Sequence, residues 1–486
     1  MPYLTSNAIE LSITNLVSTF TTLLCTRTAF PNATNSVGMP PRTYSFLKIG
    51  KGTGPNRPAA LIVAGMHARE WAQPDAVLSF AAGLLNAYRS SGPFTIPSFT
   101  DSTGTVHGPV VVTAATVKAI IEHMDIYLVP NANPDGREFS MASAANQLWR
   151  KNRGATPTPA LGTDLNRNFD IAWDFDVYYS VAAATHPDFV AHTSKTTSTD
   201  VYIGPGAFSE KESLNIKFLL DNFPIGYYVD LHSFSQLVMH PWGIESNGTN
   251  SSQTFRNPAL NGTRDGVLGT AYQELFPNTA PLRLLDRHRT MVNSIRDRIR
   301  DATGAVYTAG PSLQLYPCTG TSDDYAFSRQ FNPATPRTMH AFSIEFGSVG
   351  EGFQPTPAQY PKVEREIHAA LLAFTAQIAV WNGLVPSGTT PPPASSPICF
   401  VATAAFGSLD HPDVLFLNSI HDALKQHPLT SNAVSIAESL YNRIGPQVAS
   451  YLEKHEFPRQ LLRQVMFVPL VAVLRRLLPG RNRDAK

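Results

Sequence analysis

Cysteine is scarce: Cys25, Cys318 and Cys399 are three in number, far apart and odd, so no disulfide framework organises this chain. That usage fits a reducing compartment. An excess of charge of one sign is also missing. Thirty-eight Lys and Arg meet 37 Asp and Glu, so no basic surplus points to nucleic acid and no acidic run points to a solvated tail. No apolar run reaches the ~18 residues that cross a bilayer, so no transmembrane segment is expected. The N-terminus lacks the marks of a secretory signal. No Lys or Arg precedes Arg27, and residues 9–25 are interrupted by Glu10, Asn15 and many Thr and Ser. By sequence the expectation is a cytoplasmic protein. Four Asn-x-Ser/Thr sequons, at Asn32, Asn247, Asn250 and Asn261, then read as chance occurrences in polar loops.

What is present is length and an ample apolar share. With 486 residues and 43% hydrophobic composition, two or three domains with a sizeable core are expected. The run 59–64, bounded by Pro58 and Gly65, predicts a buried strand, and Val77, Phe80, Leu84 and Tyr88 at helical spacing predict a helix over 76–88. Further strands are expected at 43–49, 121–129, 227–231 and 339–344. Helices are expected at 9–24, 210–222, 284–302 and 364–381, the last with a stripe of Ile367, Leu371, Phe374, Ile378 and Trp381. Strands alternating with helices indicate an α/β layer fold with its ligand site at strand carboxyl ends. Residues 245–281, long, polar and rich in Gly and Asn, read as an insertion on the rim of that site. Residues 386–397, with five prolines, read as a linker between a domain over 1–385 and a small helical domain over 398–486.

The chemistry gathers at strand ends. His67 and Glu70 follow the strand at 59–64, three residues apart on a turn, so a nitrogen and a carboxylate oxygen can face one point. That is two-thirds of a zinc site of the His2Glu type, although His-x-x-Glu alone is common by chance. His232, after the strand at 227–231, supplies a third ligand, and Glu345, emerging from an apolar strand end, is a candidate general base whose pKa desolvation would raise. Leu148-Trp149-Arg150-Lys151 and Asp164-Leu165-Asn166-Arg167-Asn168-Phe169 are polar knots. An arginine fork there can hold a carboxylate or stabilise a developing oxyanion.

Five blocks resemble those of zinc metallocarboxypeptidases of the carboxypeptidase A/B (M14) family, in the family's order. They are His67-Ala68-Arg69-Glu70, Trp149-Arg150-Lys151, Asn166-Arg167-Asn168-Phe169, His232-Ser233-Phe234-Ser235-Gln236, and Tyr316 through Tyr325 followed by Glu345. The resemblance spans about residues 3–382. It implies a mixed central β-sheet flanked by helices, with one zinc ion held by His67, Glu70 and His232. It further implies Glu345 as general base, Arg150 as oxyanion partner, and Asn166 and Arg167 as the clamp on a peptide's terminal carboxylate. Arg69 is similar to the family's secondary carboxylate contact, and Tyr316 resembles its mobile tyrosine. Partners would be peptide or protein C-termini. The position of Asp323 lies, by the same resemblance, at the base of the pocket for the C-terminal side chain. A buried carboxylate there calls for Lys or Arg; the rival is neutralisation by a nearby cation and broad specificity. Asp324 looks like a structural carboxylate, and Cys318 reads as a packing residue.

Two departures stand out: Phe234 where many members have Tyr, and Tyr325 where many have Trp. No inhibitory pro-domain is expected, and the resembled family is largely secreted although no export signal is seen. The stretch Cys399-Phe400-Val401-Ala402-Thr403-Ala404-Ala405-Phe406-Gly407-Ser408 is similar to the bacterial CFI-box C-terminal region, which implies a bacterial source. A final helix expected at 461–478 mixes apolar residues with Arg463, Arg475 and Arg476. It suits either packing within its own domain or peripheral contact with a membrane surface. Two other functions fit the same residues less fully: a zinc peptidase trimming cell-wall peptides, and a non-catalytic peptide-binding or membrane-docking protein.

Overall fold

The computed structural model describes residues 3–386, apart from 53, 55, 269, 281 and 333–336. The linker from 387 on, the expected C-terminal domain with Cys399, and the expected helix at 461–478 lie outside the described residues.

An eight-stranded mixed sheet organises the described chain. Its strands are β1 (Cys25–Ala29), β2 (Ser45–Ile49), β3 (Ala59–Ala64), β4 (Asp125–Val129), β5 (Ile225–His232), β6 (Leu237–His240), β7 (Thr308–Pro311) and β8 (His340–Glu345). They lie side by side in the order β1-β2-β4-β3-β5-β8-β6-β7. The four central strands β4, β3, β5 and β8 run parallel, so their carboxyl ends emerge at one edge. The helices are α1 (Ser6–Thr19), α2 (Ala72–Arg89), α3 (Ala114–His123), α4 (Pro134–Met141), α5 (Lys211–Asn222), α6 (Leu284–Thr303), α7 (Ser322–Ser328) and α8 (Tyr360–Trp381).

Both faces of the sheet are covered, which explains why β3 reads as an unbroken apolar run. Alternate side chains divide between two cores. Ala60, Ile62, Val229, Leu231 and Ile344 face the core shared with α2 and α8; Leu61, Val63, Tyr228 and Ala341 face the core that includes Ile216 and Leu219 of α5. In α8, Ile367, Leu371, Phe374 and Ile378 are all fully buried. Truncating Phe374 to Ala there would cost about 3–5 kcal/mol.

Several boundaries differ from the expectations. Residues 121–123 end α3 rather than begin β4, because Ile120 and Ile121 fill the helix's core-facing stripe. The single helix expected at 9–24 breaks at Phe20, after which Thr21 takes a positive φ of 44°. Helix α2 begins at Ala72, two residues before Pro74. Proline is tolerated there because first-turn N–H groups have no intrahelical acceptor. Residues 245–281, read from the sequence as an insertion, are internally ordered in part. They contain a short paired ribbon and a fully buried ion pair, Arg264 Nη2 to Glu274 Oε2 at 2.7 Å. Among the described residues no helix is long and apolar enough to cross a membrane.

Candidate active site

The three parallel strands β3, β5 and β8 deliver the site. Beyond β3 the chain turns at Gly65, where φ is +70° and an added Cβ would sit 3.0 Å from Asn131 Oδ1. A side chain would be strained and crowded there, so the turn that exposes His67 depends on glycine. Glu70 N–H closes a tight turn onto the carbonyl of His67 at 3.2 Å, and Ala68 N–H donates to the carbonyl of Arg150 at 2.9 Å. The motif that carries His67 thereby fixes the backbone of Arg150. His232 is the last residue of β5, and its register partner on β8 is Glu345.

His67, Glu70 and His232 are buried and converge. His67 Nδ1 lies 2.7 Å from Glu70 Oε1, and His232 Nδ1 lies 3.1 Å from His67 Nδ1 and 3.2 Å from Glu70 Oε2. Ligand atoms at zinc distance from a tetrahedral ion sit roughly 3.3 Å from one another, so this N, N, O set has the dimensions of a zinc site. Two ring nitrogens facing each other are best satisfied by a shared cation. Burial pushes the Glu70 carboxyl up, but the two histidines outweigh it and hold the group well below the ordinary carboxylate range.

Around this centre the polar side chains are tightly held. Asp164 receives Arg150 Nε at 2.9 Å and the N–H of Asn166 at 3.0 Å, and its Oδ1 lies 3.3 Å from His67 Nε2. Burial opposes the charge of Arg150, yet Asp164 raises its pKa further, so the guanidinium stays charged. Asn166 Oδ1 accepts from Ser322 N–H at 2.8 Å, while its amide nitrogen lies 3.3 Å from His232 Nε2. Arg167 donates from Nε to the carbonyl of His192 and from Nη1 to that of Asn166, both at 2.6 Å. Among the described residues its buried Nη2 has no hydrogen-bond partner of good geometry, with Tyr316 the nearby side chain.

A cavity of about 40 Å³ connects His67, Arg150, Arg167, His232, Asp323 and Glu345, with Tyr316 turned into it. A wider cleft of about 550 Å³, lined by residues such as Tyr178, Phe255 and Arg329, lies elsewhere and holds none of these groups. Burial, and next the charge of Glu70, raises the Glu345 carboxyl to about 7. Asp323 accepts from Ser312 Oγ at 3.1 Å, and burial raises its pKa. Among the described residues no Lys or Arg forms an ion pair with Asp323. Asp324 instead binds backbone, accepting from Gly243 N–H at 2.9 Å and Ile244 N–H at 3.1 Å. Burial pushes the Cys318 thiol up to about 12, which keeps it neutral.

Arg69 stands to one side, 3.1 Å from Asp200 and stacked on Phe353 at 4.1 Å. Phe234 packs against the same ring, with centroids 4.8 Å apart. Three further residues of the site carried no assignment from the sequence: Asp164, Asp230 and His192. The first stands two residues before Asn166, and the second alternates with His232 along one strand face, a spacing that could have flagged it. His192 leaves no such trace.

A family model described as zinc carboxypeptidase matches residues 35–370. Carboxypeptidase B of Astacus astacus is 31% identical over 238 residues, which cover 48% of this chain and 64% of the relative. Carboxypeptidase B of Bos taurus is 26% identical over 341 residues, covering 69% and 62% respectively. The chain thus spans a little under two thirds of the length of these two relatives. Among solved structures, bovine thrombin-activatable fibrinolysis inhibitor in complex with tick carboxypeptidase inhibitor aligns with a TM-score of 0.53. The identity is 20%, over 78% of this chain and 97% of that one, which shows the shared fold. With the family model covering most of the chain, the protein belongs to the M14 zinc carboxypeptidase family.

Proposed function

We propose that the protein is a zinc-dependent carboxypeptidase that removes the C-terminal residue of peptides, with preference for Lys and Arg. One observation carries this: a single cavity joins the His67/Glu70/His232 centre to Arg167 Nη2 and to the carboxylate of Asp323, neither of which has an ion-pair partner among the described residues. A terminal carboxylate satisfies Arg167, which already spends its other nitrogens on backbone carbonyls, and Asn166 adds a neutral donor. An internal peptide bond offers no such charge. A basic side chain reaching Asp323 supplies the cation that a buried carboxylate needs.

Zinc, when bound by His67, Glu70 and His232, polarises the scissile carbonyl and acidifies water. Glu345 takes the proton of the attacking water and passes it to the leaving nitrogen. Arg150, anchored through Nε by Asp164, directs its terminal nitrogens at the oxygen where negative charge grows. Tyr316 closes over the C-terminal residue and Arg69 meets the chain upstream. A protein that only bound peptides would have no use for Glu345.

Blocked dipeptides ending in Arg, Phe or Glu, incubated with zinc-loaded protein with and without a chelator, test the proposal. Chelator-sensitive release, fastest for Arg, is expected. No release from any substrate overturns the carboxypeptidase assignment; faster release of Phe than of Arg overturns only the role of Asp323.

A further inference from the structure

Asp230 is fully buried on β5, two residues before His232 and on the same strand face. Its Oδ2 lies 3.0 Å from His232 Nε2, the ring nitrogen turned away from Glu70 and His67. The same oxygen accepts from Ser322 Oγ at 2.6 Å, while the buried Oδ1 has no hydrogen-bond partner among the described residues. Among the described residues no Lys or Arg forms an ion pair with it. A carboxylate so placed is costly unless a positive charge compensates it. The arrangement offers one source of that charge, the metal centre acting through the imidazole of His232.

The geometry points to Asp230 as a positioning residue for zinc: it fixes His232 with Nδ1 toward the ion and Nε2–H toward the carboxylate, and so raises the affinity of the site for the metal. This rests on the assignment of His67, Glu70 and His232 as the ligands. Charge supports it. Glu70 and Asp230 match the two charges of the ion, whereas Asp164 is already engaged by Arg150. Asn166 Nδ2, 3.3 Å from the same ring nitrogen, donates to it in the other tautomer; with Nε2 protonated, Asp230 is the acceptor. Because binding is reciprocal, a carboxylate stabilised by the metal must in turn hold the metal more tightly. Ser322 extends the connection, since it opens α7 and precedes Asp323 directly. The carboxylate that orients the ligand is therefore tied to the helix that carries the pocket base.

Outer carboxylates of this kind are typically worth roughly 10- to 100-fold in metal affinity. The experiment measures zinc dissociation constants by chelator competition for the full chain and for Asp230→Asn, Ser322→Ala and His232→Ala, together with kcat and KM at saturating zinc. Asp230→Asn keeps the volume and an acceptor but removes the charge. It is expected to weaken zinc binding about 10- to 100-fold with KM unchanged. Ser322→Ala, which removes one of the two bonds on Oδ2, is expected to weaken it a few-fold. Loss of melting temperature with unchanged zinc affinity would mean a structural role only and overturns the proposal. If Asp230→Asn does not fold, unchanged affinity in Ser322→Ala overturns it alone. Failure of the wild type to bind zinc, or undiminished binding by His232→Ala, refutes the ligand assignment instead, so the two failures are told apart.

Discussion

The imidazole of His192 lies flat on the phenol of Tyr316, with ring centroids 3.8 Å apart and planes 8° from parallel. The backbone carbonyl of the same histidine accepts from Arg167 Nε at 2.6 Å. One residue therefore touches both the proposed carboxylate clamp and the proposed lid. A stacked ring pair contributes about 0.5–1.5 kcal/mol. His192→Ala keeps the carbonyl and loses the stack. Steady-state kinetics should show KM raised roughly 2- to 12-fold, as that energy implies, with kcat within about 2-fold. His192→Phe should restore KM, and an unchanged KM in the alanine variant would show that the stack does not hold the lid.

Specificity is the second point of test. Asp323 is buried, uncompensated and held by Ser312, and Asp323→Asn preserves that contact while removing the charge. Leaving a bound Lys or Arg without its partner costs about 3–5 kcal/mol, or roughly 10²- to 5 × 10³-fold in kcat/KM. Release of Phe should change little. A ratio of Arg to Phe turnover that survives the substitution would place the basic preference elsewhere, or deny it.

Five strands, β2, β3, β4, β5 and β8, were legible in the sequence as short apolar runs, whereas the half-exposed β1 and the short β6 and β7 gave no such signal and were not expected. Short apolar runs misled at one place: Ile121 stands only four residues before the strand that starts at Asp125, and periodicity alone cannot separate a helix end from a buried strand start. His67, Glu70, His232 and Glu345 could be named because each stands at a strand end. Residues that act on other residues were harder to find. Asp230 looks like any strand residue until the orientation of the His232 ring is known. His192 meets Tyr316 only through folding of distant loops, with no local pattern to announce it. Gly320 illustrates the same limit. Its positive φ of 66° and its close approach to the carbonyl of Arg167 seat the loop before Asp323 against Arg167, yet it reads as an ordinary loop glycine.

Stability should fall with alkaline pH through Glu212. Burial, and next the adjacent Glu210, raises its carboxyl from 4.5 to about 8, and among the described residues its Oε1 has no hydrogen-bond partner. The folded state thus binds a proton that the unfolded chain releases at lower pH. The stabilisation is complete below about 4.5 and is lost as pH rises through about 8. Glu212→Gln removes this dependence, and the gain at alkaline pH should be on the order of a few kcal/mol. Thermal melts at pH 5 and pH 8.5 check it: the variant should gain several degrees on the wild type only at the higher value. An equal difference at both would mean that Glu212 is not the group responsible.

The pH profile of turnover should report Glu345. As a base it works only when ionised, so kcat/KM should rise as pH climbs through its pKa. Without metal, burial and the neighbouring charge of Glu70 place that value at about 7. The positive charge of bound zinc pulls it down, against the burial that holds it above the ordinary 4.5. The acid limb of kcat/KM is therefore expected between those two values. A positioned general base contributes about 10²- to 10⁴-fold, so Glu345→Gln should lose that much turnover with zinc content unchanged. Both measurements are needed, because a titrating ligand histidine also gives an acid limb. Only the base gives a limb that disappears with the carboxylate while the metal stays bound. Residual turnover in Glu345→Gln that kept the wild-type limb would move the base to another residue.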